Sequence, residues 1–162
     1  MRKNIRLKEY DYSSNGAYFV TICSDSRKKI FWTKLEVELS KNLMLDELPL
    51  SEVGQIAKDT IRVIENRFGI SVDNYVIMPD HIHMLVSINS RLEADQTKGD
   101  ISTIVGVYKS LVTNRWLKIC KDRHIQMGNI WQRSYYDHII RNEQDYSETW
   151  KYIDKNPYKY LT

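Results

Sequence analysis

Residues 74–78 and 81–88 are two extended apolar runs with only Pro79 and Asp80 between them. Parallel strands need a crossover of about a dozen residues or more, so a break this short joins antiparallel neighbours. This part of the chain is thereby committed to an antiparallel sheet. The flanking elements follow from periodicity. Gly16-Ala17-Tyr18-Phe19-Val20-Thr21-Ile22-Cys23 is β-branched and aromatic, and reads as a strand entered through a glycine turn. Val53, Ile56, Ala57, Thr60, Ile61, Ile64 and Phe68 recur at helical spacing, with Ser51 placed to cap the start and Gly69 to end it. Ile101, Ile104, Val105, Tyr108, Leu111, Val112, Trp116 and Ile119 mark a second helix of about 20 residues. Residues 130–140 read as a further strand, and residues 24–49 as a polar loop with a short hairpin. Asn142-Glu143-Gln144-Asp145 has the form of a capping box. The helix it opens is expected to reach about Lys155 and to stop before Pro157. The order β-α-β-β-α-β-α contains the ferredoxin-like pattern in its first six elements. The expected fold is therefore α+β: an antiparallel sheet with helices on one face, plus a C-terminal helix.

A chain of 162 residues is enough for one core, so residues 1–162 are read as a single domain. A hydrophobic content of 42% argues against disorder. No apolar run approaches the ~20 residues that span a bilayer, and no apolar segment follows the basic start Met1-Arg2-Lys3-Asn4-Ile5-Arg6. A membrane partner and a secretory signal are both unexpected. Cys23 and Cys120 form no CxxC pair and read as reduced core thiols of a cytoplasmic protein. Net charge is only 24 − 21 = +3, so distribution matters more than total. Arg2, Lys3, Arg6 and Lys8 cluster before Tyr10 and Tyr12, and Lys109 sits on the second long helix as a phosphate-contact candidate. Eleven tyrosines and four tryptophans offer flat surfaces for bases. Solvated charge and structural aromatics explain any one of these residues equally well.

The sharpest chemical signal is His81-Ile82-His83. Alternate side chains of a strand share a face, so the imidazoles point the same way while Ile82, Met84, Val86 and Ile88 fill core on the other. Their attachment points lie roughly 7 Å apart, close enough to converge on one metal ion. On the last helix, Tyr146, Trp150 and Ile153 have the spacing of a buried stripe. Tyr152 and Asn156 sit only about 40° apart around the axis, one turn from each other, at the edge of that stripe. A rim tyrosine and a capping asparagine would show the same spacing.

The run Tyr75-Val76-Ile77-Met78-Pro79-Asp80-His81-Ile82-His83 resembles the HUH motif of single-tyrosine transposases, two histidines around a bulky hydrophobic residue. Three further stretches resemble the branch called REP-associated tyrosine transposases: Ile5-Arg6-Leu7 through Ile22, Trp131-Gln132-Arg133-Ser134-Tyr135-Tyr136-Asp137-His138-Ile139-Ile140-Arg141, and Tyr152-Ile153-Asp154-Lys155-Asn156-Pro157. The likeness spans nearly the whole chain in family order.

The resemblance implies His81 and His83 as metal ligands, Asn156 as the third ligand and Tyr152 as the nucleophile. It implies a divalent metal, Mg or Mn, no nucleotide cofactor, and single-stranded, hairpin-flanked DNA as partner. A homodimer and a monomer both remain open. Basic residues Arg2, Lys3, Arg6 and Lys109 would supply salt-sensitive DNA affinity. The chain ends five residues after Pro157, where some family members carry a longer tail. Tyr135 and Tyr136 are rival nucleophiles by residue type, and His138 reads as a structural hydrogen-bond partner. Two other functions compete: a non-catalytic, domesticated module that binds single-stranded nucleic acid, and a metallohydrolase. An HxHxH run would favour the latter, but position 85 is leucine.

Overall fold

The computed structural model describes residues 16–33, 48–88 and 92–161. Within them lie β1 (Gly16–Cys23), α1 (Glu52–Phe68), β2 (Ser71–Ile77), β3 (His81–Ile88), α2 (Ile101–Asp122), β4 (Tyr136–Ile140) and α3 (Glu143–Leu161). The sheet order is β2-β3-β1-β4 with every pairing antiparallel, which is the expected ferredoxin-like arrangement. β2 ends at Ile77, so three residues, Met78-Pro79-Asp80, link it to β3, and Ile77 pairs with Ile82 across the link.

Alternation divides the sheet into two faces. Tyr18, Val20 and Ile22 of β1 and Ile82, Met84, Val86 and Ile88 of β3 are all buried. They form one core with Ala57, Ile61 and Ile64 of α1 and Ile104, Tyr108 and Val112 of α2. The Ser51 hydroxyl caps α1 by accepting from the Gly54 amide at 3.1 Å. Gly69 closes it with φ +62°, a left-handed conformation that favours glycine. Tyr108 Oη donates to the Ala57 carbonyl at 2.7 Å, joining the two helices inside the core.

Three boundaries depart from the sequence reading. β2 begins at Ser71 rather than residue 74, because a bulge at Asp73 lets pairing continue past an acidic residue. β4 is confined to Tyr136–Ile140; upstream, Trp131 forms an isolated antiparallel bridge with Ser24, the residue after β1, and Ser134 has φ +103°. α3 runs through Pro157 to Leu161 instead of stopping before it. That proline removes one helical hydrogen bond, but its ring and the neighbouring Asn156 are buried, which offsets the loss. Trp150 is also not part of a buried stripe: it is 37% exposed, whereas Ile153 is fully buried. The buried side of α3 is instead Thr149, Ile153, Asn156 and Pro157. Of residues 24–49, read as a polar loop with a short hairpin, residues 34–47 lie outside the described residues. No helix among the described residues is long and apolar enough to cross a membrane.

Candidate active site

α1 and α2 cover one face of the sheet, and α3 crosses part of the other, packing on β2 and β3. The second face carries the odd-numbered residues of β3 and β1, with His81 opposite Cys23, His83 opposite Thr21 and Leu85 opposite Phe19. The His81 and His83 ring centroids are 4.6 Å apart. The Tyr152 ring, on α3, stands 5.5 Å from the His83 ring and 5.8 Å from Phe19, edge-on to both. Phe19 in turn stacks on His83 at 5.0 Å. Asn156, one helical turn beyond Tyr152 and buried, brings its side-chain amide beside His81. One chain therefore brings both histidines, the tyrosine and the asparagine together.

Partners on the sheet orient the imidazoles. His81 Nδ1 lies 2.7 Å from Asp80 Oδ1. An ionised carboxylate only accepts, so Nδ1 of the neutral ring carries the proton and Nε2 keeps its lone pair. Arg27 holds the other carboxylate oxygen, Nε to Oδ2 at 3.1 Å, and sends Nη1 to Cys23 Sγ at 3.2 Å. Ser26 and Arg27 both have φ +54°, a strained pair that aims the guanidinium at this corner. The Ser24 amide and hydroxyl both donate to the Asp80 carbonyl, at 3.0 and 3.1 Å, tying down the Pro79-Asp80 turn. His83 Nδ1 meets Thr21 Oγ1 at 2.9 Å.

Electrostatics keep both rings neutral. Burial pushes His83 down to about 3, with His81 and Arg27 beside it acting in the same direction. Burial also lowers His81, while Asp80 partly opposes the shift. The Asp80 carboxyl is held below its ordinary value; burial alone would raise it, and the hydrogen bonds and charges of His81 and Arg27 outweigh that. Neutral imidazoles and an amide oxygen are the donor set of a borderline divalent cation. Among the described residues no trio of His, Cys, Asp or Glu gathers for a metal. The donors on this face that could hold such an ion are His81, His83 and Asn156.

An acid sensitivity follows. Above pH 6.5 His83 is neutral in both folded and unfolded chains and adds no pH dependence. As pH falls below 6.5 the unfolded chain takes up a proton that the folded site refuses until about 3, so stability drops. At ~1.4 kcal/mol per pH unit, urea unfolding at pH 5 should show about 2 kcal/mol less stability than at pH 7 from this group alone. A His83→Gln variant should lose that part of the slope.

Lys109, His138 and Tyr136 lie elsewhere. Lys109 Nζ donates to the Gln132 and Ser134 carbonyls at 2.9 and 2.8 Å, bracing the segment before β4 rather than joining the site. Arg2, Lys3 and Arg6 lie outside the described residues. His138 Nε2 lies 2.8 Å from Asp145 Oδ2, linking β4 to the first turn of α3. This is the structural role expected of it. Tyr136 shares the His83 face through Thr21 but sits two strands away, roughly 10 Å. Phe19, Thr21, Arg27 and Asp80 escaped the sequence reading. Only Asp80 had a local signal, adjacency to His81; Phe19 and Thr21 depend on strand register and Arg27 on the turn after β1. Asp80→Asn removes the carboxylate that orients His81, and should weaken Mn²⁺ affinity about 10- to 100-fold by calorimetry.

The chain belongs to the IS200-like transposase family, whose model matches residues 12–156. It is 31% identical to an uncharacterised protein of Haemophilus influenzae, over 96% of this chain and 88% of that one. It is 26% identical to the REP-associated tyrosine transposase of Escherichia coli K12, over 65% of this chain and 55% of that protein. Among solved structures it resembles a REP-associated tyrosine transposase bound to a REP hairpin, with TM-score 0.63 and 21% identity over 96% of this chain and 74% of that chain. The branch to which the sequence motifs pointed is the one these relatives represent.

Proposed function

We propose that this transposase cleaves and rejoins single-stranded DNA through Tyr152, with a divalent cation held by His81, His83 and Asn156. The observation that carries the reading is the tyrosine ring 5.5 Å from the His83 imidazole, on a residue that is 43% exposed. A phenol so placed is reachable by a DNA backbone and adjacent to the metal donors at once.

Tyr152 Oη attacks the scissile phosphorus, the bond to the 3′-oxygen breaks, and the 5′ end stays on the protein as a phosphotyrosine. The phenol proton leaves to solvent and the departing 3′-oxygen takes one up. When bound, the cation supplies a Lewis acid that polarises a non-bridging phosphate oxygen and stabilises the leaving oxygen. Asp80 and Arg27 keep His81 in the tautomer that offers Nε2, and Phe19 packs the His83 ring in place. Attack by another 3′-hydroxyl reverses the step; the phosphoester energy is conserved and no nucleotide cofactor is required. The partner is a strand exposed at the cut and flanked by a hairpin; the binding of a REP hairpin by the structural relative supports a hairpin partner.

The test is incubation of the protein with end-labelled hairpin DNA and Mn²⁺ or Mg²⁺, followed by denaturing electrophoresis and peptide mass mapping. A metal-dependent adduct on the peptide containing Tyr152 is expected. A hairpin that binds but never becomes covalently attached would instead favour the non-catalytic module.

A further inference from the structure

We propose that Asp73 and Asn74, at the β2 bulge, are positioning residues that aim Tyr152 by fixing the rotation of α3. The proposal rests on Tyr152 being the nucleophile.

In a regular strand consecutive side chains point to opposite faces. Pairing jumps from Val72 opposite Val86 to Asn74 opposite Leu85, so Asp73 is the extra residue of a bulge. This lets both neighbours address the same helix. Asp73 Oδ2 accepts from Tyr146 Oη of α3 at 2.7 Å and from Ser87 Oγ at 2.5 Å. Its other oxygen accepts from Ser71 Oγ at 2.5 Å. Burial, aided by Asp73, pushes the Tyr146 hydroxyl up to about 12, so it remains a donor. Asn74 Nδ2 donates to Asp154 Oδ1 at 3.0 Å and to the Trp150 carbonyl at 3.3 Å.

These contacts reach α3 at positions 146, 150 and 154, one line along the helix about 12 Å long. Tyr152 projects from the opposite side of the axis, roughly 160° from that line. Turning the helix about its axis therefore swings the phenol off His83. Apolar packing resists such a turn weakly, because Ile153 and Pro157 are the buried apolar residues among those described on α3. The bulge contacts grip the helix at both ends of a lever and set its angle. Nothing in this network touches the histidines or Tyr152 itself.

Misplacement of a reacting group by about 1 Å can cost on the order of 100-fold in rate. Asn74→Ala and Tyr146→Phe should each slow adduct formation about 10- to 100-fold, while hairpin affinity by fluorescence anisotropy stays within about threefold. Asp73→Ala combined with Tyr146→Phe should be no slower than the worse single variant, since both remove one contact. A second readout needs no catalysis: 3-fluorotyrosine labelling with ¹⁹F NMR, the Tyr152 resonance assigned by Tyr152→Phe. In Asn74→Ala that resonance should move as the ring leaves His83 and Phe19, with the cooperative melt retained. Unchanged resonance and unchanged rate in both single variants would overturn the proposal. A wild-type protein that makes no adduct, yet whose Tyr152 signal moves in Asn74→Ala, would overturn the nucleophile assignment and uphold the positioning.

Discussion

Tyr152→Phe is expected to abolish covalent capture of hairpin DNA, by at least about 10⁴-fold, because nothing replaces the attacking oxygen. The substitution is otherwise mild. The ring keeps its edge contacts with His83 and Phe19, and the residue is 43% exposed, so stability should change by less than about 0.5 kcal/mol. Hairpin affinity should hold within about twofold, since backbone charge neutralisation dominates such binding. Parallel anisotropy and denaturing-gel measurements separate the two quantities. Adduct persisting in the variant would move the nucleophile to another tyrosine, and Tyr136, on the same sheet face, would be examined next.

His83→Ala should have the second-largest effect. In the proposed mechanism His83 is a ligand of the cation, and losing a ligand that helps neutralise transition-state charge forfeits several kcal/mol, or roughly 10²- to 10⁴-fold in adduct formation. Mn²⁺ binding followed by electron paramagnetic resonance should weaken in step. Truncating an imidazole that is only 5% exposed also leaves Thr21 Oγ1 without its 2.9 Å partner, a cost of about 1–3 kcal/mol. Assays therefore belong at a temperature where the variant's melt shows it folded. Wild-type Mn²⁺ affinity in the folded variant would remove His83 from the metal site.

Much of the scaffold was legible because local periodicity and tertiary demand agree. Gly16–Cys23 and His81–Ile88 alternate or run apolar as half-covered strands do, and both stand at the bounds read from sequence. Ser51 and Gly69 delimit α1 because an amide needed an acceptor and the chain needed a left-handed exit. The two histidines share a face by the geometry of any strand. Tyr152 and Asn156 sit one turn apart by the geometry of any helix. Pro157 misled because its rule is local; a buried ring within a docked helix overrides it. Trp150 misled because the spacing names a stripe but not which side of it meets the sheet.

The sequence alone determined the pieces: an antiparallel pair forced by a two-residue break, an HxH on one strand face, and a Tyr-x-x-x-Asn on one helix face. These follow from covalent spacing and the fixed periods of strand and helix. Only the tertiary structure decided that the pieces meet. Strand register sets Thr21 beside His83, a strained turn brings Arg27 to Asp80, and a bulge turns Asp73 and Asn74 toward the same helix. Each of these joins residues more than 50 positions apart in sequence, with the Thr21–His83 contact separated by 62 and the Asn74–Asp154 contact by 80. No local period encodes such separations; they are chosen by which packing of the whole chain buries its apolar faces and pairs its polar ones.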